Sequence, residues 1–316
     1  MSETDKKTRK PDISPVTRFH RGPMGRKLEN YLQLHDTSER DYGVVELARL
    51  WRLAGKLEPA IGLHLFSQFT PQDWHILVYM VTFMEKVGNA FTIWEKYSPL
   101  VSDIETIQRI QEDGLVGVEI SIDATDETAR YIVEHYCVMS LTALRIATGV
   151  NVFPSVAEFK HPRPAYHEAY LPFFGDAVRF NCKHNRLLYN QDTAQLKTLG
   201  YNKLLIEVVC SELDRRIDKR HHFEGWAGKV AGITREAISA GKTPSLESVA
   251  EVLHHSPRTL RRRLAEQGFN YRLIIDAVRL ELEQLWELQG LSRAQIGERL
   301  GYSETTAYLH ARKRWA

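Results

Sequence analysis

The stretch that decides the fold is SPRTLRRRLAEQG, residues 256–268. Four arginines fall within the six positions 258–263 against the single acid Glu266, a local excess that a formal net charge of +2 over 316 residues conceals. On a helix turning by about 100° per residue, Leu260 and Leu264 share one side, while Arg258, Arg261 and Arg262 gather on a face more than about 100° away. Ala265 leaves room on that face, and Arg263 points elsewhere. Three guanidiniums crowded on one exposed surface repel one another unless an anion offsets them, and their planar forks suit guanine edges and phosphates. On a lone helix the plainer reading is a solvated face, so the surroundings decide.

Those surroundings are duplicated. SLESVAEVLHHS at 245–256 and SRAQIGERLGYS at 292–303 match serine to serine, with Val249 facing Ile296, Ala250 facing Gly297 and Leu253 facing Leu300. Each copy predicts a short helix capped by Ser245 or Ser292, with apolar positions at i, i+3, i+4 and i+7 and a small residue where another helix comes close. Turns at His254-His255 and Gly301-Tyr302 lead to Ser256 or Ser303 as the next cap, then to second helices in PRTLRRRLAEQ and ETTAYLHARKRW. A short helix, a tight turn and a second helix make a helix-turn-helix unit, whose geometry lays the second helix in a DNA major groove. In the second copy Tyr308, Ala311 and Trp315 form the inward stripe. Thr306, Leu309 and Lys313 face outward, flanked by Thr305 and His310, a surface suited to base edges and thymine methyls, with Lys313 placed for phosphate. YRLIIDAVRLELEQLWELQ, 271–289, reads as a linker helix of about 28 Å, close to the roughly 34 Å between successive major grooves.

Upstream the texture is mixed. Amphipathic spacing predicts helices at 44–56 and 72–98, the latter breaking near Gly88, and another at 129–149 ending on Gly149. Short alternating pieces at 115–122, 155–160, 177–180 and 186–190 read as strands. The expected organisation is a flexible tail at 1–12, a mixed domain at 13–213, a polar linker at 214–223 and a helical DNA-binding domain at 224–316. The fold class is therefore an α+β sensor domain followed by an all-α domain of two helix-turn-helix units joined by a linker helix. No run approaches the roughly 18 apolar residues of a membrane span, and no apolar segment follows the N-terminal lysines as in a signal peptide. Cys137, Cys182 and Cys210 are an odd, widely separated set that suits the reduced cytoplasm.

From 244 to 315 the chain resembles the DNA-binding domain of the AraC/XylS family of bacterial regulators, through S-x-R-T-L-x-R-x-L at 256–264, VR at 278–279 and LGYSE at 300–304. Between about 40 and 205, EHYCVMSLTALRIATG, the H-x-x-P of 161–164, Y-x-x-x-F at 170–174 and FFGDAVRFNCKHNRLLYN look like the arabinose-binding-like sensor domain of one branch of that family. The resemblance implies a transcription activator controlled by a small-molecule effector, with promoter DNA and RNA polymerase as partners. Its base readers fall on Arg258, Arg261 and Arg262 in the first unit, and on Thr305, Thr306, Leu309 and His310 in the second. Two positions depart from the family pattern: His310 stands where arginine is common, and Arg312 where a buried phenylalanine is usual, at the edge of the core stripe.

Other constellations weigh less. The histidine pairs 221–222 and 254–255 cannot both point into one helical site and no third ligand is evident, so no metal or other cofactor is expected. Cys137 and His135, two apart on a helix, do not share a face, and Cys137 reads as buried structure. With no phosphate-cradling glycine loop and no nucleophile elbow, no enzyme is expected. Tyr166, Tyr170, Phe173, Phe174 and Phe180 are candidates for an effector pocket, against plain core packing. The helix at 202–218, with exposed-looking Leu and Val, is a candidate homodimer surface. The alternatives are an effector-independent regulator acting through protein partners and a ligand-processing protein that carries a DNA-tethering domain.

Overall fold

The structure, a computed structural model, describes residues 15–34, 40–124 and 126–315. The expected tail at 1–12 lies outside the described residues. The chain divides into two compact bodies, Arg18–Asp218 and a second one formed by 219–316 with the described residues up to Thr17.

The first body is built on a five-stranded sheet in the order Glu105–Glu112, Leu115–Ile122, Arg186–Asn190, Val156–Glu158, Val178–Arg179, antiparallel except for the last pair. Its first strand was not among the expected elements. ETIQRIQE is mostly exposed and polar, as befits an edge, and its apolar signal is correspondingly thin. It reverses into Leu115–Ile122 through Asp113 and Gly114, at φ +48° and +78°, the left-handed pair that a two-residue hairpin turn requires. Helix Asp126–Thr148 packs across Leu115–Ile122 and against helices Val44–Leu57, Ile61–His64 and Ile76–Phe83. It stops where Gly149 turns to φ +69°.

The expected long helix at 72–98 is two, Ile76–Phe83 and Val87–Tyr97, and the break falls before Gly88. Segment 84–86 leaves helical geometry, and 85–87 pairs with 196–198: the Val87 N–H donates to the Leu196 carbonyl at 3.0 Å and the Thr198 N–H to the Glu85 carbonyl at 3.3 Å. Gly88 sits inside the second helix, where a Cβ would stand 3.3 Å from the Ala194 carbonyl oxygen. Close approach, not bending, is what this glycine provides.

The polar stretch 214–223, expected as linker, is helical backbone within Lys203–Ser239. That helix breaks at Gly225 (φ 50°, ψ −146°). A Cβ at Gly225 would stand 1.8 Å from Gln267 Nε2. Gln267 Oε1 accepts the N–H groups of Trp226 and Ala227 at 2.8 and 2.9 Å, so a side chain 40 residues away caps the helix that resumes. The remaining helices of the second body are Leu246–Val252, Pro257–Glu266, Tyr271–Leu288, Arg293–Arg299 and Thr305–Trp315. They close on one apolar core that includes Val249, Leu260, Leu264, Val278, Ile296 and Tyr308. Arg235 and Glu281, both nearly buried, pair within it at 2.8 Å.

Candidate nucleic-acid interface

Each helix-turn-helix unit is set by local chemistry. Ser245 and Ser292 cap the first helices by accepting the N–H groups of Ser248 and Gln295. Val249 and Ile296 point into the core, and Ala250 and Gly297 are buried beside them. A Cβ on Gly297 would stand 3.3 Å from Tyr308 Cβ, so the small residue admits the second helix. The turns repeat as well: His254 adopts φ +56° and Gly301 φ +85° at the same place in each copy.

The copies then differ by one residue. The first helices start 47 residues apart, after Ser245 and Ser292, but the second start 48 apart, at Pro257 and Thr305. Ser256 caps the first of these by accepting the Thr259 N–H at 3.1 Å. In the second copy Ser303 was the expected cap, yet the Tyr308 N–H donates to the Glu304 carbonyl at 3.2 Å. The cap position is therefore Glu304, because the cap residue's carbonyl accepts the first helical bond. In this register Leu260 corresponds to Tyr308, both fully buried. Arg258, Arg261 and Arg262 correspond to Thr306, Leu309 and His310.

Arg258, Arg261 and Arg262 are exposed, opposite the buried Leu260 and Leu264. Arg261 stands 3.5 Å from Glu247 and Arg262 2.5 Å from Glu266, both pairs open to solvent. Such pairs are worth about 0–1 kcal/mol, little enough for a phosphate to displace the carboxylate. Arg263 departs from this face, its guanidinium 4.5 Å from the Trp226 ring centroid, where it stacks and does not extend into solvent. In the second copy Thr305, Thr306, His310 and Lys313 are exposed. Leu309, expected outward, is half-buried and packs against the core cluster.

Arg312 occupies the place that Leu264 fills in the first copy. Instead of an apolar side chain it turns its Nε to Glu283 of the linker helix, which also accepts the Tyr308 hydroxyl, and its second branch to Glu287 at 3.3 Å. Glu283 is 1% exposed, so the arginine supplies the charge that this buried carboxylate needs.

In the first body, Tyr166, Tyr170, Phe173, Phe174 and Phe180 are brought together. Tyr170 meets Phe180 edge-on at 5.1 Å, Phe174 packs beside Tyr170, and Phe173 lies against Phe174. Their polar centre is Glu134, fully buried, whose Oε1 accepts the hydroxyls of Tyr166 (2.8 Å) and Tyr170. Burial pushes Glu134 up to about 7, against the two tyrosine hydrogen bonds and Arg130, which pull it down. None of the five aromatics lines an aromatic-walled cavity of about 60 Å³ in this body, which opens between Glu105, His135, Trp74 and Trp94. Sequence reasoning missed those residues, which come from four separate segments. Among the described residues no cluster of His, Cys, Asp and Glu fits a metal ion, and no helix is long and apolar enough to cross a membrane.

Two capped helix pairs hung on one linker helix define the double helix-turn-helix class of transcription regulator. Comparison with known proteins supplies the family. Residues 39–198 match the arabinose-binding domain of AraC transcription regulators, N-terminal. The chain is 42% identical to the HTH-type transcriptional regulator VqsM of Pseudomonas aeruginosa, over 92% of its own length and 93% of that protein. A Mycobacterium tuberculosis HTH-type regulator, Rv1395, is 29% identical over 44% of this chain, a match that spans only 40% of that protein. A solved structure, the transcriptional regulator CdpR of Pseudomonas aeruginosa, aligns over 92% of this chain and 94% of that one, at 21% identity and a TM-score of 0.47. The chain belongs to the AraC family of transcription regulators.

Proposed function

We propose that the chain is a cytoplasmic transcription activator that binds promoter DNA through both helix-turn-helix units and takes up a small-molecule effector in its N-terminal domain. Arg258, Arg261 and Arg262 read bases in one groove, and Thr305, Thr306, Leu309 and His310 in the next, with Lys313 on phosphate. The observation that carries the reading is the correspondence of exposed Arg258 with exposed Thr306 and of exposed Arg262 with exposed His310 in two copies whose opposite faces are buried. RNA polymerase is the partner on the promoter, and a second copy of the chain is the partner at the helix beginning at Lys203, where Leu204 and Val208 are 70% and 60% exposed. The reading is of a binding protein, with no catalytic residue and no cofactor.

Fluorescence anisotropy with duplex DNA from upstream of the neighbouring genes tests this. Each of Arg258, Arg261, Arg262 and Lys313 that lies on phosphate adds about −0.9 to the slope of log K against log salt, so the slope runs from about −1 with Lys313 alone to about −3.6 with all four. Arg262→Ala is expected to relax base preference by about 1–3 kcal/mol, the size of a bidentate guanine contact. Equal loss on operator and random duplex would assign Arg262 to phosphate, and a flat salt response would end the promoter-binding reading.

A further inference from the structure

The cavity beside Glu105 and His135 in the first body is lined by a mixture of groups. Phe66, Phe69, Trp74 and Trp94 supply aromatic walls, Ile107, Val118 and Ile120 supply an apolar floor from the sheet, and one carboxylate, Glu105, enters with no lysine, arginine or aspartate on the lining. Glu105 and Ile107 alternate onto the same face of their strand, and Ile107 pairs across with Ile120. The carboxylate is therefore aimed at the same space that these isoleucines border. It is 6% exposed, and neither of its oxygens has a donor at hydrogen-bond geometry. His20 Nδ1, itself buried and without a hydrogen-bond partner, stands 3.4 Å from Oε1.

Two titratable neighbours stand beside it, His20 at 3.4 Å and the Tyr136 phenol. Burial pushes His75 down to about 4 and His135 down to about 3, which leaves both neutral at pH 7. Burial first, and then the Glu105 carboxylate within reach of its hydroxyl, hold the Tyr136 phenol well above its usual range, so that it stays a neutral donor beside Glu105. With His20 and Tyr136 both short of hydrogen-bond geometry, the two Glu105 oxygens leave room for closer donors from a ligand.

We infer that this cavity is a receptor for a compact ammonium ion with a short apolar tail, its charge facing Glu105 and its methylenes on the aromatic walls. An ammonium offers up to three donors to the unfilled oxygens and is drawn to the faces of Trp and Phe. An anion meets only the carboxylate's repulsion, and a plain hydrocarbon leaves the oxygens unfilled. At about 10–15 Å³ per water-sized site, a cavity of about 60 Å³ takes roughly four to six non-hydrogen atoms. Gly22 belongs to the design: a Cβ there would stand 2.8 Å from His20 Nε2, so the glycine makes room for the histidine ring at the cavity edge. The inference rests on the effector reading above and names the chemical class of that effector.

The test uses the full chain and three probes of one size, n-butylammonium, n-butanol and butyrate, each at about 10 mM in thermal unfolding at pH 7. The expected result is a clear rise in Tm with the amine, a smaller one with the alcohol and none with butyrate. Glu105→Gln is expected to weaken the amine by about tenfold or more in calorimetry and to remove its advantage over the alcohol. Equal response to all three probes, no response to the amine, or an amine preference that survives in Glu105→Gln overturns the assignment. The wild-type ranking decides it alone if the variant does not fold. Operator binding is measured on the same samples. An amine that stabilises the protein without altering DNA affinity keeps the receptor and sinks effector control by this class, whereas DNA affinity that answers to another compound while the amine stays silent does the reverse.

Discussion

Arg312→Leu would remove the guanidinium that meets Glu283, leaving that carboxylate, 1% exposed, with the Tyr308 hydroxyl as its remaining described donor. Breaking a fully buried pair by deleting one partner costs about 3–5 kcal/mol. The Arg312 side chain is 38% exposed, so water screens part of that charge and the expected cost drops to about 2–3 kcal/mol. The loss is local, because the pair ties helix Thr305–Trp315 to the linker helix. Native-state hydrogen exchange of the full chain reads it directly. At about 1.4 kcal/mol per factor of ten, amides of 308–313 should exchange roughly 30- to 150-fold faster than in the wild type. Adding Glu283→Leu should restore most of the protection, since a buried ion pair replaced on both sides by apolar groups is about neutral or better. Exchange within about threefold of wild type in Arg312→Leu, or no recovery in the double variant, would refute the claim that this arginine holds the second unit through Glu283.

Three further outcomes follow from the geometry. Ser256→Ala deletes the oxygen that accepts the Thr259 N–H, and should cost about 1 kcal/mol in denaturant titration while leaving the salt slope of DNA binding unchanged. Gly225→Ala forces a side chain to φ +50° and against Gln267 Nε2, so it should destabilise by more than about 1 kcal/mol; Gln267→Ala, which removes both the obstacle and the cap, should not rescue it fully. Glu134, raised from an ordinary value to about 7 by burial, binds its proton more tightly folded than unfolded. Its contribution is complete below about pH 4.5 and is lost as pH rises through 7, by on the order of 3 kcal/mol, so Tm measured from pH 5 to 8 should fall for the wild type relative to Glu134→Gln.

What could be read from the sequence was whatever depends on neighbours along the chain. Leu115–Ile122 and Arg186–Asn190 carry short apolar runs between turn formers, and their expected bounds match the observed ones. Ser245, Ser256 and Ser292 announce helices because each side chain bonds an N–H three residues on. The strand Glu105–Glu112 escaped because its outer face is polar, although Asp113-Gly114 was a legible hairpin signal. The break at 84–86 was not legible, because it is made by pairing with 196–198, more than a hundred residues downstream. Tertiary partners of that kind override local periodicity.

The same distinction separates the two candidate sites. The arginine face is a property of one helix: its angle to Leu260 and Leu264 is fixed by 3.6 residues per turn, so three exposed side chains could be placed without knowing the fold. The cavity is a property of the whole first body. His20, Trp74, Glu105 and His135 have no common spacing, and each alone suggests a core residue or a surface charge. Only the sheet register, which puts Glu105 on the face of Ile107 and Ile120, turns an unremarkable glutamate at a strand start into a buried carboxylate on a cavity wall. The second helix-turn-helix unit lies between these cases. Its outward residues were placed by angle, though Leu309 is half-buried, and the extra residue in its turn moves the cap to Glu304 and sets Arg312 where Leu264 stands in the first copy. A packing position thereby became an ion pair with the linker helix, and the stability of the second reading surface is coupled to a carboxylate that no local pattern would have chosen.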